Sequence, residues 1–116
     1  VEDEDQVRRL IESTLLKENH RVIIAKNGEE ALELFRKNQL IVDLVLTDVI
    51  MPRMSGSELA AQIEALKPDI QILYMSGYTE NTIVHHGVLD EGIHFIQKPF
   101  TPQQLIKKVT SMFQPE

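Results

Sequence analysis

The stretch Leu44-Val45-Leu46-Thr47-Asp48-Val49-Ile50-Met51-Pro52-Arg53-Met54-Ser55-Gly56 decides the fold. Leu44 to Thr47 is too apolar to leave either face in water, the habit of a strand inside a parallel sheet. The run ends on a carboxylate, Asp48, and a loop, Val49 to Ser55, carries Pro52 toward Gly56. Ser55 and Glu58 have the capping-box spacing that opens a helix, with Leu59, Ile63 and Leu66 facing inward and Pro68 ending it. A buried strand, a loop and an amphipathic helix make a βα unit whose carboxylate lies at the strand's carboxyl end.

The same alternation extends both ways. Asp5 can cap a helix in which Val7, Leu10, Ile11, Thr14 and Leu15 share one face. Val22-Ile23-Ile24-Ala25 reads as a buried strand, Asn27-Gly28 as a turn, and Glu29-Glu30 as the acidic start of a helix with Ala31, Leu32 and Phe35 inside. Downstream, residues 70–75 form a strand, residues 79–90 a helix interrupted by His85-His86-Gly87, and residues 93–97 a further strand. Thr101 caps the last helix, Pro102 takes its first position, and Leu105, Val109 and Met112 line one face. Helices separate the strands at every step, so parallel pairing through right-handed crossovers is expected. Only Val1-Glu2 precedes the first helix, so the sequence is expected to begin inside its first strand. The expectation is one α/β domain over residues 1–116, an open (βα)5 sheet with helices on both faces.

Composition narrows the function. Cysteine is absent, which excludes thiolate catalysis, disulfides and cysteine-based zinc sites. No unbroken apolar run exceeds four residues, as at Val22–Ala25, so no segment reads as a membrane span or signal peptide. Twelve Lys and Arg against eighteen Asp and Glu leave a net charge of −6, the wrong sign for direct nucleic-acid binding. A cation or a basic protein surface suits that charge better.

In open α/β sheets ligands gather beyond the carboxyl ends of the strands. Those ends carry Glu2 and Asp3, then Asp48, then Ser76, then Lys98 before Pro99. Each has a bland reading alone: a solvated acidic run, a turn residue, a Ser-Gly turn, a surface lysine. Joint placement at one sheet edge outweighs four separate accidents. Carboxylates converging there repel by a few kcal/mol per close pair, at an effective dielectric near 20. A hard divalent cation with oxygen ligands relieves this, and a lysine and a hydroxyl beside it complete a phosphoryl site.

Val1-Glu2-Asp3-Glu4, Leu46-Thr47-Asp48-Val49-Ile50-Met51-Pro52 with Met54 and Gly56, Tyr74-Met75-Ser76-Gly77 and Lys98-Pro99-Phe100 together resemble the receiver domain of two-component signalling. The resemblance covers essentially the whole chain. It implies a doubly wound, flavodoxin-like five-stranded sheet of order 2-1-3-4-5. By position it implies Asp48 as phosphoacceptor, Asp3 as a direct ligand of Mg²⁺ (or Mn²⁺), and Glu2 acting largely through a coordinated water. The backbone carbonyl of Ile50 would complete the protein's share of the metal shell. Ser76 would bond a phosphoryl oxygen, Lys98 would pair with the phosphate behind a cis Lys98–Pro99 bond, and Phe95 would be the ring whose rotamer tracks phosphorylation. Glu2, Ser76 and Phe95 stand where the family more often has Asp, Thr and Tyr; each keeps the required chemistry. Ile50 and Tyr78, two residues beyond the acceptor and the hydroxyl, border the approach of a hydrolytic water, and their bulk predicts slow loss of the phosphoryl group.

The function so implied is a cytoplasmic phosphorelay module, partnered by a histidine kinase or histidine phosphotransfer domain. Its output surface, the fourth helix, fifth strand and last helix, also offers a dimer contact. Residues 74–104 look most like receivers at the C-terminal end of hybrid sensor histidine kinases, whose parent chains can be membrane-anchored; a free-standing response regulator is the alternative. The isolated domain is expected to act only in its own phosphoryl transfer and autodephosphorylation. An aspartyl-nucleophile phosphatase typically carries a second Asp two residues beyond the nucleophile, where this chain has Ile50. A flavodoxin-like cofactor binder needs a phosphate loop that the sequence lacks after its first strand. His85 and His86 read as a solvated helix surface, His94 as a partly exposed strand histidine, and His20 as a helix-end histidine.

Overall fold

Three parallel strands and four helices make up the described part of the chain, residues 1–76 and 94–113 of a computed structural model. In chain order these are α1 (Asp5–Lys17), α2 (Gly28–Lys37), β1 (Leu44–Asp48), α3 (Gly56–Leu66), β2 (Gln71–Ser76), β3 (His94–Gln97) and α4 (Pro102–Phe113). The strands lie in the order β1-β2-β3, with Val45 opposite Ile72, Leu46 opposite Leu73, and Tyr74 opposite Phe95. Parallel strands need crossovers, and the helix between β1 and β2 supplies one.

Side-chain alternation divides the interior into two cores, one on each sheet face. Val45 and Ile72 point into the first, with Ala31, Leu32 and Phe35 of α2 and Leu59 and Ile63 of α3. Leu73, Met75 and Ile96 point into the second, with Ile11 of α1 and Leu105, Val109 and Met112 of α4. Both faces are therefore covered, as the near-continuous apolar strands require.

The helix boundaries follow local chemistry. Asn27 Oδ1 accepts the Glu30 N–H at 2.8 Å and opens α2. Ser55 and Glu58 form the reciprocal capping box of α3, at 3.2 and 2.9 Å. Thr101 and Gln104 exchange the same pair of bonds before α4, at 3.1 and 2.8 Å. At α1 the expectation needs correction. Glu4, not Asp5, is the N-cap, and its side chain makes no capping bond; Asp5 is the first helical residue and pairs with Arg8.

Three further expectations are revised. Val22–Ala25 runs alongside the sheet without forming a strand, and Ile23 and Ile24 are exposed rather than buried. One bond ties it to the sheet, Glu2 N–H to Ala25 O at 3.1 Å. Leu10 and Leu66 are each 40% exposed, at the margins of their helices' apolar faces. The strand expected over residues 70–75 is Gln71–Ser76, one residue later, with Ile70 held by its N–H to Lys67 O. The helix expected at residues 79–90, with His85 and His86, lies outside the described residues. Among the described residues no helix is long and apolar enough to cross a membrane.

Candidate functional site

Asp48 ends β1 with its side chain almost wholly buried. Its N–H donates to Val1 O at 3.1 Å, and the Val1 amino group donates to Leu46 O. That alternating pair is parallel-sheet bonding, and it sets Glu2 beside Asp48. The loop after Asp48 folds back at once: Gly56 N–H donates to Val49 O at 2.8 Å. A Cβ on Gly56 would lie 2.1 Å from Asp48 O, so no other residue fits there without moving the aspartate. Thr47, fully buried, donates its hydroxyl to the same carbonyl at 3.0 Å.

Lys98 arrives from the end of β3. Its N–H donates to Ser76 O at 2.7 Å, and the Lys98–Pro99 bond is cis. Its ammonium bridges two acids, 2.8 Å from Glu2 Oε1 and 2.9 Å from Asp48 Oδ2. Glu2 Oε2 accepts the Glu4 N–H at 3.0 Å, so both oxygens of this buried carboxylate are engaged. Asp3 joins from the exposed side. Glu2, Asp3 and Asp48 each offer an oxygen within 4.8 Å of the others.

The electrostatics follow from burial and from this one lysine. Burial pushes Asp48 up to about 6; the Lys98 hydrogen bond opposes the rise and the Glu2 charge adds to it. Burial also works against Glu2, but hydrogen bonds from Lys98 and the Glu4 amide outweigh it and hold the carboxyl below its ordinary value. Burial likewise disfavours the Lys98 ammonium, and its bonds to the two acids keep it above its ordinary value. Asp48 and Glu2 thus compete for one cation, and Asp48 is the acid left underserved.

The remaining sequence-named residues surround this centre. Ser76 is buried at the end of β2, one sheet position past Met75, which pairs with Asp48. Ile50 is 58% exposed, and Phe95 on β3 is 38% exposed. Tyr78 lies outside the described residues. His20 sets its ring 5.9 Å from that of Phe113 rather than in the site. Sequence reasoning missed Arg8, whose guanidinium donates to Glu2 O at 3.0 Å and also reaches the Asp5 carboxylate. The signal was there: Arg8 stands three residues after Asp5, the spacing of a helical ion pair.

The family profile described as the response regulator receiver domain matches residues 1–110. The sensor kinase CckA of Brucella abortus (strain 2308) is 36% identical over 114 residues, 98% of this chain and 12% of that protein. The probable transcriptional regulator ycf27 of Porphyra purpurea is 32% identical over 97% of this chain and 45% of its own length. Among solved structures, the receiver domain of the hybrid histidine kinase CckA superposes with a TM-score of 0.81 at 28% identity, covering 97% of this chain and 94% of that one. The chain therefore spans less than half the length of these two curated relatives.

Proposed function

The chain belongs to the response regulator receiver domain family of two-component signalling, and on that premise we propose that Asp48 accepts a phosphoryl group from a histidine of a partner kinase or histidine phosphotransfer domain. The observation that carries this reading is the Lys98 ammonium bridging Glu2 and Asp48 in a three-carboxylate cluster. Three hard oxygen donors, one on exposed Asp3, fit Mg²⁺ or Mn²⁺. Glu2, Asp3, Asp48 and the Ile50 carbonyl would hold the ion. When bound, it neutralises charge on the oxygens of the transferring group.

The chain's own residues do the rest. A carboxylate oxygen of Asp48 attacks phosphorus in line; the P–N bond to the imidazole breaks, and the ring nitrogen keeps the electron pair and takes a proton from solvent. Lys98 turns from the acids to the phosphoryl oxygens, and the Ser76 hydroxyl donates to one of them. Phe95 carries the change to the surface of β3 and α4, where a partner, or a second copy, reads it. Ile50, with Tyr78, limits hydrolytic water. The isolated domain turns over nothing but its own phosphoryl group, and neither nucleic acid nor membrane is its direct partner.

The parent is a hybrid sensor histidine kinase with this domain in the cytoplasm, a reading favoured by CckA among both the relatives and the solved structures. Phosphotransfer from a phosphorylated histidine phosphotransfer domain tests the chemistry: label should move to this chain only with Mg²⁺, and transfer to Asp48→Asn at the wild-type rate would refute it.

The sheet order 2-1-3-4-5 belongs to the same proposal, with Val1-Glu2 as the end of the first strand. Its support is the sheet-like bonding of Val1 and Glu2 to β1 and Ala25. A cavity of about 570 Å³ adjoins Val1, and Val22, Ile24, Leu44, Val45 and Leu46 are among its walls. Burial pushes the Val1 amino group down to about 6.

A further inference from the structure

We propose that Arg8 is a positioning residue for the cation site, holding the turn that presents Asp3. The inference rests on the reading of Glu2, Asp3 and Asp48 as a divalent-cation site.

The turn Glu2-Asp3-Glu4-Asp5 leads from the sheet edge into α1, and the N-cap residue Glu4 does nothing with its side chain to fix that entry. Arg8 does it from below. One guanidinium nitrogen donates to Glu2 O at 3.0 Å and the other reaches the Asp5 carboxylate, so a single planar group ties the residue before Asp3 to the residue two after it. The Arg8 side chain is only 13% exposed while Asp5 is 67% exposed, which separates this contact from an ordinary solvated helix pair. A planar fork serving two acceptors fixes direction as well as distance, and an ammonium in its place would not. Glu2 is independently pinned by Lys98 and the Glu4 amide. Asp3 is the one member of the cluster that faces solvent, so its place depends on the turn alone.

Charge and position act in opposite senses, and the sign of the effect separates them. A cation beside an acidic crevice weakens binding of another cation. Removing Arg8 should therefore tighten Mg²⁺ binding if its charge is what matters, and loosen it if its geometry is.

The test is a Mg²⁺ titration of the unphosphorylated chain, followed by amide NMR shifts, for wild type, Arg8→Gln, Arg8→Lys and Asp5→Asn, with the folded fraction of each checked by circular dichroism. Positioning predicts a dissociation constant raised at least threefold in Arg8→Gln despite the lost positive charge, raised also in Arg8→Lys, and raised less in Asp5→Asn, which keeps the bond to Glu2 O. In an Asp3→Asn background Arg8→Gln should have no further effect, because Arg8 acts through Asp3; a general loosening of the fold would lower affinity in both backgrounds equally. Wild-type affinity in Arg8→Lys, tighter binding in Arg8→Gln, or equal losses in both backgrounds would each overturn the role. Should Arg8→Gln fail to fold, the affinities of Arg8→Lys and Asp5→Asn decide in its place. No Mg²⁺ binding by wild type would instead overturn the cation site itself, and this role with it.

Discussion

Lys98 Nζ lies 2.8 Å from Glu2 Oε1, closing a contact between residues 96 positions apart. The same ammonium serves Asp48 at 2.9 Å, so one lysine from the end of β3 is shared by acids from two other segments of the sheet edge. With Lys98 only 23% exposed and both acids nearly buried, water does little to screen the arrangement.

Replacing that lysine should cost stability. Lys98→Ala leaves Glu2 and Asp48 facing each other unpaired, and a metal-free loss of about 1–3 kcal/mol at neutral pH is expected, the cost of stranding buried acceptors. Urea unfolding in EDTA measures it. Added Mg²⁺ should restore part of the loss, and stability equal to wild type would show that the bridge carries no weight.

Asp3→Ala should behave differently, because Asp3 is exposed and makes no bond to Lys98. Its metal-free melting temperature should equal or slightly exceed that of wild type, since one repelling charge has gone. The rise in melting temperature that saturating Mg²⁺ gives wild type should disappear. Thermal melts with and without Mg²⁺ decide; a lower metal-free melting temperature with a full Mg²⁺ response would rule out the shared site.

The raised Asp48 carboxyl predicts a pH dependence. Its folded value, about 6, lies above its ordinary 3.8, so the folded state holds more protons between those limits. The group's contribution to stability is fully present below about 4 and is lost as pH rises through about 6. In metal-free buffer the stability of wild type minus that of Asp48→Asn should fall across this window, and denaturant titrations at several pH values would read it. A flat difference would mean that Lys98 neutralises Asp48 completely.

Gly56 is a packing requirement of the acceptor. Gly56→Ala drives a methyl group to 2.1 Å from Asp48 O, against backbone that cannot rotate away. Overpacking of this kind costs about 1–3 kcal/mol. Amide shifts at Asp48 and Val49 should move more than those of α3, and a variant as stable as wild type with unmoved shifts would contradict the close approach.

Legibility in the sequence tracked how local the determining chemistry is. Ser55 with Glu58, Asn27 ahead of Glu30, and Thr101 with Gln104 act within four residues, and the helix starts they mark were readable without a structure. The Leu44–Asp48 strand was readable because nothing else hides so apolar a run. Val22–Ala25 misled because four apolar residues do not by themselves make a strand: Ile23 and Ile24 stay exposed, and Glu2 N–H to Ala25 O is the bond that ties the run to the sheet. Asp5 misled as a cap because Arg8 claims its carboxylate. For the site, motif order named Glu2, Asp3, Asp48 and Lys98 correctly as neighbours. The competition of Glu2 and Asp48 for one ammonium, and the bond from Arg8 to Glu2 O, arise from contacts that no spacing encodes, whereas the Asp5–Arg8 pair was open to reading from its spacing.

The most direct measurement of the central claim is the intact mass of the chain after incubation with a small acyl phosphate and Mg²⁺. Wild type should gain one phosphoryl group, carried on the peptide containing Asp48, and should gain none when Mg²⁺ is chelated before the donor is added. Asp48→Asn, nearly isosteric and folded, should gain none. A phosphoryl group on Asp48→Asn at wild-type stoichiometry would contradict the assignment of Asp48 as acceptor.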